Sequence, residues 1–248
     1  MFRASAAREV ERMALVIGGG GAVGSACVSE LSRNSAWSNI AIDFMPCARS
    51  KETLLLKEGE SLAESSDRLR TELSAICKKK SFDLIVCTAG GWAGGNVASD
   101  EFATSLDFLW RVNVQSAAVT ANLSCHFLKP GGMVTFIGAA AAMGPTPGMP
   151  AYGLTKAATH HLLSSLSAED GGLPSGSSAN ALMPQTIDTK SNREAMPDAD
   201  YSEWVKPEDI AIELRMWAED ASLRPSHGSL VAMSTKEHQT TFTPLPKE

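Results

Sequence analysis

The sequence predicts a single doubly wound α/β domain, with a mostly parallel seven-stranded sheet and helices on both faces. Three observations lead there. Short apolar runs alternate with longer segments of helical period along the whole chain. The first apolar run stops abruptly at four glycines and is followed at once by a helical pattern, which reads as a buried strand, a tight turn and a helix. A chain of 248 residues, 44% hydrophobic and 20% charged, has ample core for one large domain. No repeat or linker divides it, so 1–248 is expected to form one unit, with 1–12 as an N-terminal arm and 185–206 as a lid over the site.

Composition narrows the function classes. A net charge of -6 argues against a nucleic-acid or anionic-membrane surface. No segment approaches the ~20 consecutive apolar residues of a membrane span. Cys27, Cys47, Cys77, Cys87 and Cys125 form no C-x-x-C pair and read as reduced thiols of an intracellular, cytoplasmic protein. Arg3, Arg8 and Arg12 would suit an organelle-targeting leader, but Glu9 and Glu11 break its acid-poor pattern.

Taken in order, Ala14 to Ile17 is the first strand, and Ala22 to Arg33 the first helix. Glycines at 18, 21 and 24, with Ala22 and Val23 between them, let backbone approach a pyrophosphate at the helix N-terminus. A second strand, Ser38 to Asp43, ends in an acid 19 residues after Gly24. A carboxylate there accepts from an adenosine ribose and repels a 2'-phosphate, so NADH is expected over NADPH. Leu54 to Leu56 is a third strand, and 60–80 a helix closed by Lys78 to Lys80, whose cations suit the carbonyl end of the dipole.

Phe82 to Thr88 is the fourth strand, and Ala89, Gly90 and Gly91 come after it as thin backbone where such folds bind ligands. Trp92 beside them is either an apolar plug or a stacking surface for a flat ring. Residues 102–128 suffice for two helices, with Asn113 as a buried polar group that must find partners. Met133 to Gly138 is the fifth strand, Asn180 to Met183 the sixth and Ser229 to Ser234 the seventh. Pro207 with Glu208 and Asp209 opens a last helix.

Between strands five and six, Tyr152 and Lys156 lie four apart on one helical face, behind a loop of small residues ending in Met149. An ammonium beside a phenol favours phenolate, so the pair is expected to lower the tyrosine pKa from about 10 and to make it a proton donor.

The glycine turn, Asp43, Asn113, Tyr152, Lys156 and Pro184 resemble the short-chain dehydrogenase/reductase superfamily, a Rossmann-like group. More narrowly, Gly90 to Asn96, Thr146 to Met149, Asp188-Thr189, Asn192-Arg193, Met196-Pro197 and Arg224 to Leu230 resemble the dihydropteridine reductase family. The resemblance implies an NADH-dependent reduction of quinonoid dihydropterin to tetrahydropterin, in a homodimer. It implies Tyr152, Lys156 and Asn113 as catalytic residues, Lys156 on the nicotinamide ribose, and Pro184 and Thr189 beside the carboxamide. Trp92, Met149 and Tyr152 would meet the pterin.

Two departures stand out. Most of the superfamily carries a serine 13 residues before the tyrosine, where this chain has Ala139. Cys87-Thr88 replaces a pair of asparagines common at that strand end. The competing expectations are a reductase of another quinonoid, pteridine or quinone substrate, and a non-catalytic dinucleotide sensor. The intact Tyr152/Lys156 pair speaks against the sensor.

Overall fold

The computed structural model describes residues 12–77 and 82–246. The N-terminal arm up to residue 11 and the Lys78 to Lys80 run lie outside the described residues.

Among the described residues, eight strands form one sheet: β1 (Arg12–Ile17), β2 (Trp37–Asp43), β3 (Glu52–Leu55), β4 (Phe82–Cys87), β5 (Leu128–Ile137), β6 (Ser178–Met183), β7 (Ser229–Lys236) and β8 (Gln239–Pro244). Their order is β3-β2-β1-β4-β5-β6-β7-β8, parallel except for β8. The chain winds outward from β1 to β3, then returns to the other side of β1 with β4, so the strand order reverses between β1 and β4. A crevice opens at such a reversal, outside the carboxyl ends of the strands.

The helices are α1 (Ala22–Arg33), α2 (Leu62–Ile76), α3 (Phe102–Leu109), α4 (Ser116–Phe127), α5 (Pro150–Leu166), α6 (Lys190–Ala195) and α7 (Pro207–Glu219). Alternate residues of each central strand enter opposite layers. Leu15, Ile17, Ile85 and Val134 pack with Leu69 and Leu73 of α2, Leu123 of α4 and Leu163 of α5. Ala14, Val16, Leu84 and Val86 pack with Val28 and Leu31 of α1 and with Leu214 and Trp217 of α7.

The structure adds an eighth strand to the seven expected. β8 pairs with β7 through a two-residue turn in which Glu237 (φ 49) and His238 (φ 64) both take left-handed backbone. Hairpins favour that conformation, but the sequence usually announces it with Asn or Gly, and Glu-His does not. β5 also begins earlier than expected, at Leu128, with an irregular register against β4 between Phe82 and Leu84.

Candidate active site

The turn between β1 and α1 is built from backbone alone. Gly18 has φ +85, and a Cβ on it would lie 2.5 Å from the Ala89 nitrogen. A Cβ on Gly24 would overlap the Gly18 carbonyl, so these two glycines let α1, β1 and the β4 exit close on one another. Gly21 caps α1 with no side-chain bond, and no acid sits in the first turn. Gly20, Gly21 and Ala22 are exposed while Val23 and Gly24 are buried. The positive end of the helix dipole therefore opens onto an exposed turn, which fits a pyrophosphate.

Asp43 Oδ2 accepts from the Gly20 N–H (2.8 Å) and Oδ1 from the N–H groups of Phe44 and Met45. The acid thus fixes the glycine turn, and Oδ2 keeps a lone pair for a ribose hydroxyl. The Thr88 hydroxyl reaches the carbonyls of Ile17 and Gly18 (2.8 and 3.0 Å), tying the β4 exit to the same turn. That role for Thr88 had no signal in the sequence beyond its place at a strand end.

On the other side of the crevice stands α5, opened by Pro150 and capped by Met149. Lys156 is 5% exposed, and its Nζ donates to the Ile137 carbonyl at 2.8 Å. The same Nζ lies 5.8 Å from the centre of the Tyr152 ring. Burial lowers the Lys156 ammonium to about 8, and burial raises the Tyr152 phenol to about 12. This corrects the expectation of a lowered tyrosine pKa: with Lys156 turned to a carbonyl, desolvation of the phenolate dominates. Tyr152 is a retained, neutral phenol.

Ala139, two residues past the end of β5, is 2% exposed. Its N–H donates to Nε2 of His160 (3.2 Å), one turn beyond Lys156 on α5. Burial, with the Lys156 charge adding to it, lowers His160 to about 4. Sequence reading missed His160; its helical offset from Lys156 was the available signal. Thr146, the next hydroxyl after Ala139 along the chain, packs instead on α5, where a Cβ on Gly153 would overlap its oxygen.

Asn113 is buried in the π-helical segment Trp110–Gln115, which joins α3 to α4. Its Oδ1 accepts the Gly91 N–H (2.8 Å), while Nδ2 donates to the Gly91 carbonyl (3.2 Å) and to Thr155 Oγ1 (3.0 Å). It thereby joins the β4 loop to the tyrosine helix. A Cβ on Gly90 would meet Asn113 Oδ1 at 2.9 Å and Lys156 Nζ at 3.4 Å, so the bare backbone is what lets these groups converge. Trp92 is 60% exposed and is no plug; its Nε1 donates to Met149 Sδ at 3.2 Å.

The 185–206 segment has structure of its own. Its ends are joined by a bridge between Ile187 and Val205. Within it, Thr189 caps α6, Arg193 forks onto Asp188 (2.5 and 2.8 Å) and stacks 4.4 Å from the Tyr201 ring centre. The Tyr201 hydroxyl lies 3.0 Å from the Pro197 carbonyl. Pro184, just before it, accepts from the Ala140 N–H (3.3 Å). A cleft of about 450 Å³ separates this segment from α1, with Ala22 and Ser25 on one side and Asp188 and Thr189 on the other.

A glycine turn at a strand reversal, facing a Tyr/Lys helix across one crevice, defines a dinucleotide-dependent oxidoreductase. The family model for short chain dehydrogenases matches residues 12–200, and the chain belongs to that family. A dihydropteridine reductase of Dictyostelium discoideum is 38% identical over 232 residues, covering 93% of this chain and 98% of that one. A tropinone reductase homolog of Arabidopsis thaliana is 31% identical over 206 residues, 77% of this chain and 76% of its own. Among solved structures, a short-chain dehydrogenase/reductase from Serratia marcescens superposes with a TM-score of 0.74 at 21% identity, over 92% of this chain and 98% of that one. The aldohexose dehydrogenase of Thermoplasma acidophilum does so at 0.73 and 16% identity, over 90% and 92%. At those identities the two structures speak to the fold alone. The family uses a nicotinamide dinucleotide, and the glycine turn fits one. Among the described residues no helix is long and apolar enough to cross a membrane.

Proposed function

We propose that this chain uses NADH to reduce a quinonoid dihydropteridine to the tetrahydropteridine. The observation that carries the reading is Ala139, 13 residues before Tyr152: it is buried and offers no hydroxyl to a substrate carbonyl. A ketone would forgo a transition-state donor worth roughly 3 kcal/mol. A quinonoid ring is already electrophilic and needs a proton more than it needs polarisation. The likeness to the Dictyostelium discoideum dihydropteridine reductase, along nearly all of both chains, supports the same substrate class.

In this reading the turn from Gly18 to Gly24 takes the pyrophosphate, and Asp43 takes the adenosine ribose and disfavours a 2'-phosphate. Ala89, Gly90 and Gly91 leave room for the cofactor along the strand ends, and Pro184 and Thr189 hold its carboxamide. Bound there, the reduced nicotinamide supplies a hydride. Lys156, held on the Ile137 carbonyl by one of its three N–H donors, turns the others to the nicotinamide ribose. Tyr152, kept protonated by its burial, gives its proton to the pterin. Asn113 keeps the Gly91 backbone and the tyrosine helix in register. The exposed indole of Trp92 and the thioether of Met149 lie against the flat ring, and the 185–206 segment excludes water. A second copy covers the exposed Leu154, Ala157 and His161, which share one flank of α5.

The test is NADH oxidation by the purified protein with chemically generated quinonoid dihydropterin. Protein-dependent oxidation is expected, with NADPH a poorer donor and kcat of Tyr152→Phe lower by on the order of 100-fold. Oxidation no faster than the uncatalysed rate overturns the reading, and full activity in Tyr152→Phe removes the proton-donor role.

A further inference from the structure

The end of β5 is gripped by two side chains from successive turns of α5. Lys156 Nζ donates to the Ile137 carbonyl at 2.8 Å, and His160 Nε2 accepts the Ala139 N–H at 3.2 Å. Residues four apart on a helix lie nearly above one another, so both reach the same three-residue strand exit. Between them, Gly138 has no space for a side chain: a Cβ would stand 2.6 Å from His160 Nε2 and 2.7 Å from Met183 Sδ. The exit is held from α5 on one side and from β6 on the other.

The chemistry of the bond fixes the imidazole. An N–H donor at Ala139 requires the unprotonated ring nitrogen to be Nε2, so the ring proton belongs on Nδ1. Protonation at Nε2 would set two donors against each other and bring a second charge beside Lys156. Burial keeps the ring neutral, which agrees with this geometry. Ala139 stands where the resemblance places a serine in most relatives, so nothing on its side chain can steady the Tyr152 phenol.

We propose that His160 is a positioning residue of the active site: by accepting the Ala139 N–H it fixes the β5 exit, and through Ile137 the Lys156 ammonium, at the spacing from Tyr152 that no hydroxyl enforces. Without an acceptor, the Ala139 N–H would be buried and unpaired, or its peptide would rotate. Rotation so close to Ile137 would move the carbonyl on which Lys156 rests. The proposal rests on the reductase reading for its kinetic arm and is independent of it for its spectroscopic arm.

The experiment compares full-length His160→Gln, His160→Asn and His160→Leu. Glutamine reaches about as far as Nε2 and keeps an acceptor, asparagine is too short, and leucine has none. Per folded molecule, Gln is expected within about threefold of the parent kcat. Asn and Leu are expected to fall by on the order of tenfold or more, as small misplacements of reacting groups do. KM for NADH should change less than about twofold throughout, the pattern of an interaction felt in the chemical step. In the protein without substrate at pH 7, ¹⁵N spectra should place the ring proton on Nδ1. The Ala139 amide should exchange with solvent faster in Asn and Leu than in Gln.

Equal kcat in all three variants, a Gln variant no better than Leu, or a ring proton on Nε2 overturns the proposal. A purely structural role would lower Tm without separating Gln from Asn in kcat per folded molecule. If Leu fails to fold, the Gln–Asn comparison decides. If even the unmodified protein leaves NADH untouched, the substrate reading falls, while tautomer and amide exchange still decide the role of His160.

Discussion

Lys156 and Tyr152 are four residues apart, and burial moves their pKa values in opposite directions, the lysine down to about 8 and the tyrosine up to about 12. The lysine shift has a paired consequence. Folded Lys156 gives up its proton near pH 8, whereas the unfolded chain holds it to about 10.5. Between those values the unfolded state binds more protons, so this residue's contribution to stability grows as pH rises, by roughly 3 kcal/mol in all. Over the same window the ammonium we propose for the ribose is lost. We predict that kcat/KM falls above about pH 8 while the Lys156 contribution to stability increases. Chemical denaturation of the parent and Lys156→Met between pH 7 and 10 should show that rise only in the parent. An activity profile flat through pH 9.5 would contradict the assignment. The pair itself was legible from its spacing. Its electrostatics were not, because a sequence places two groups on one helical face without saying whether the charge meets the ring or a nearby carbonyl.

At the scale of elements, helices and central strands other than β5 kept closely to their periodicity: α1 spans the residues expected of it, Ala22 to Arg33. The elements that escaped had reasons. β8 turns on Glu237 and His238, residues that seldom take positive φ. The stretch from α3 to α4 is one continuous rod with a π-helical turn at Asn113, where composition alone allowed two helices. Such a turn carries an extra residue and rotates the remainder of the helix about its axis, which no hydrophobic period reveals. Gly153 on α5 offers a test of how the loop ending in Met149 is seated. Alanine there gains about 1 kcal/mol of helix propensity, but its Cβ would overlap Thr146, and overpacking costs about 1–3 kcal/mol. We predict that Gly153→Ala lowers activity by displacing the loop that carries Met149, and that adding Thr146→Ala restores much of it. Kinetics of the two single variants and the double variant would measure the coupling; simple additivity would refute the packing argument.

For the molecule as a whole, the alternation of strands and helices and the glycine turn made the doubly wound architecture legible before any coordinate. The candidate site was legible in parts. Gly18 to Gly24, Asp43 and Tyr152 with Lys156 were visible because each chemistry demands a residue type at a spacing. Thr88, His160 and the Arg193–Tyr201 stack were not, since each works through a backbone atom or a ring brought near by folding. Cofactor binding should act on the assembled molecule. A ligand that binds only the folded form at 100 times its Kd adds about 2.7 kcal/mol to stability. NADH at that excess is therefore predicted to raise Tm by several degrees, and NADPH at equal concentration by less; thermal unfolding with each dinucleotide is the check, and equal shifts would contradict the role proposed for Asp43.

The reversal of strand order between β1 and β4 has a kinetic corollary. The crevice there joins Gly18 to Ala89 and Thr88, partners some seventy residues apart in the chain. Its two lips come together only when β4 docks beside β1, with β2, β3 and α2 lying between them in the sequence. A dinucleotide has no complete seat on any earlier, partly wound form. Its stabilisation should therefore appear in the unfolding rate and leave the refolding rate nearly untouched. The cofactor would act as a latch on the finished sheet, giving it a longer lifetime without guiding its assembly.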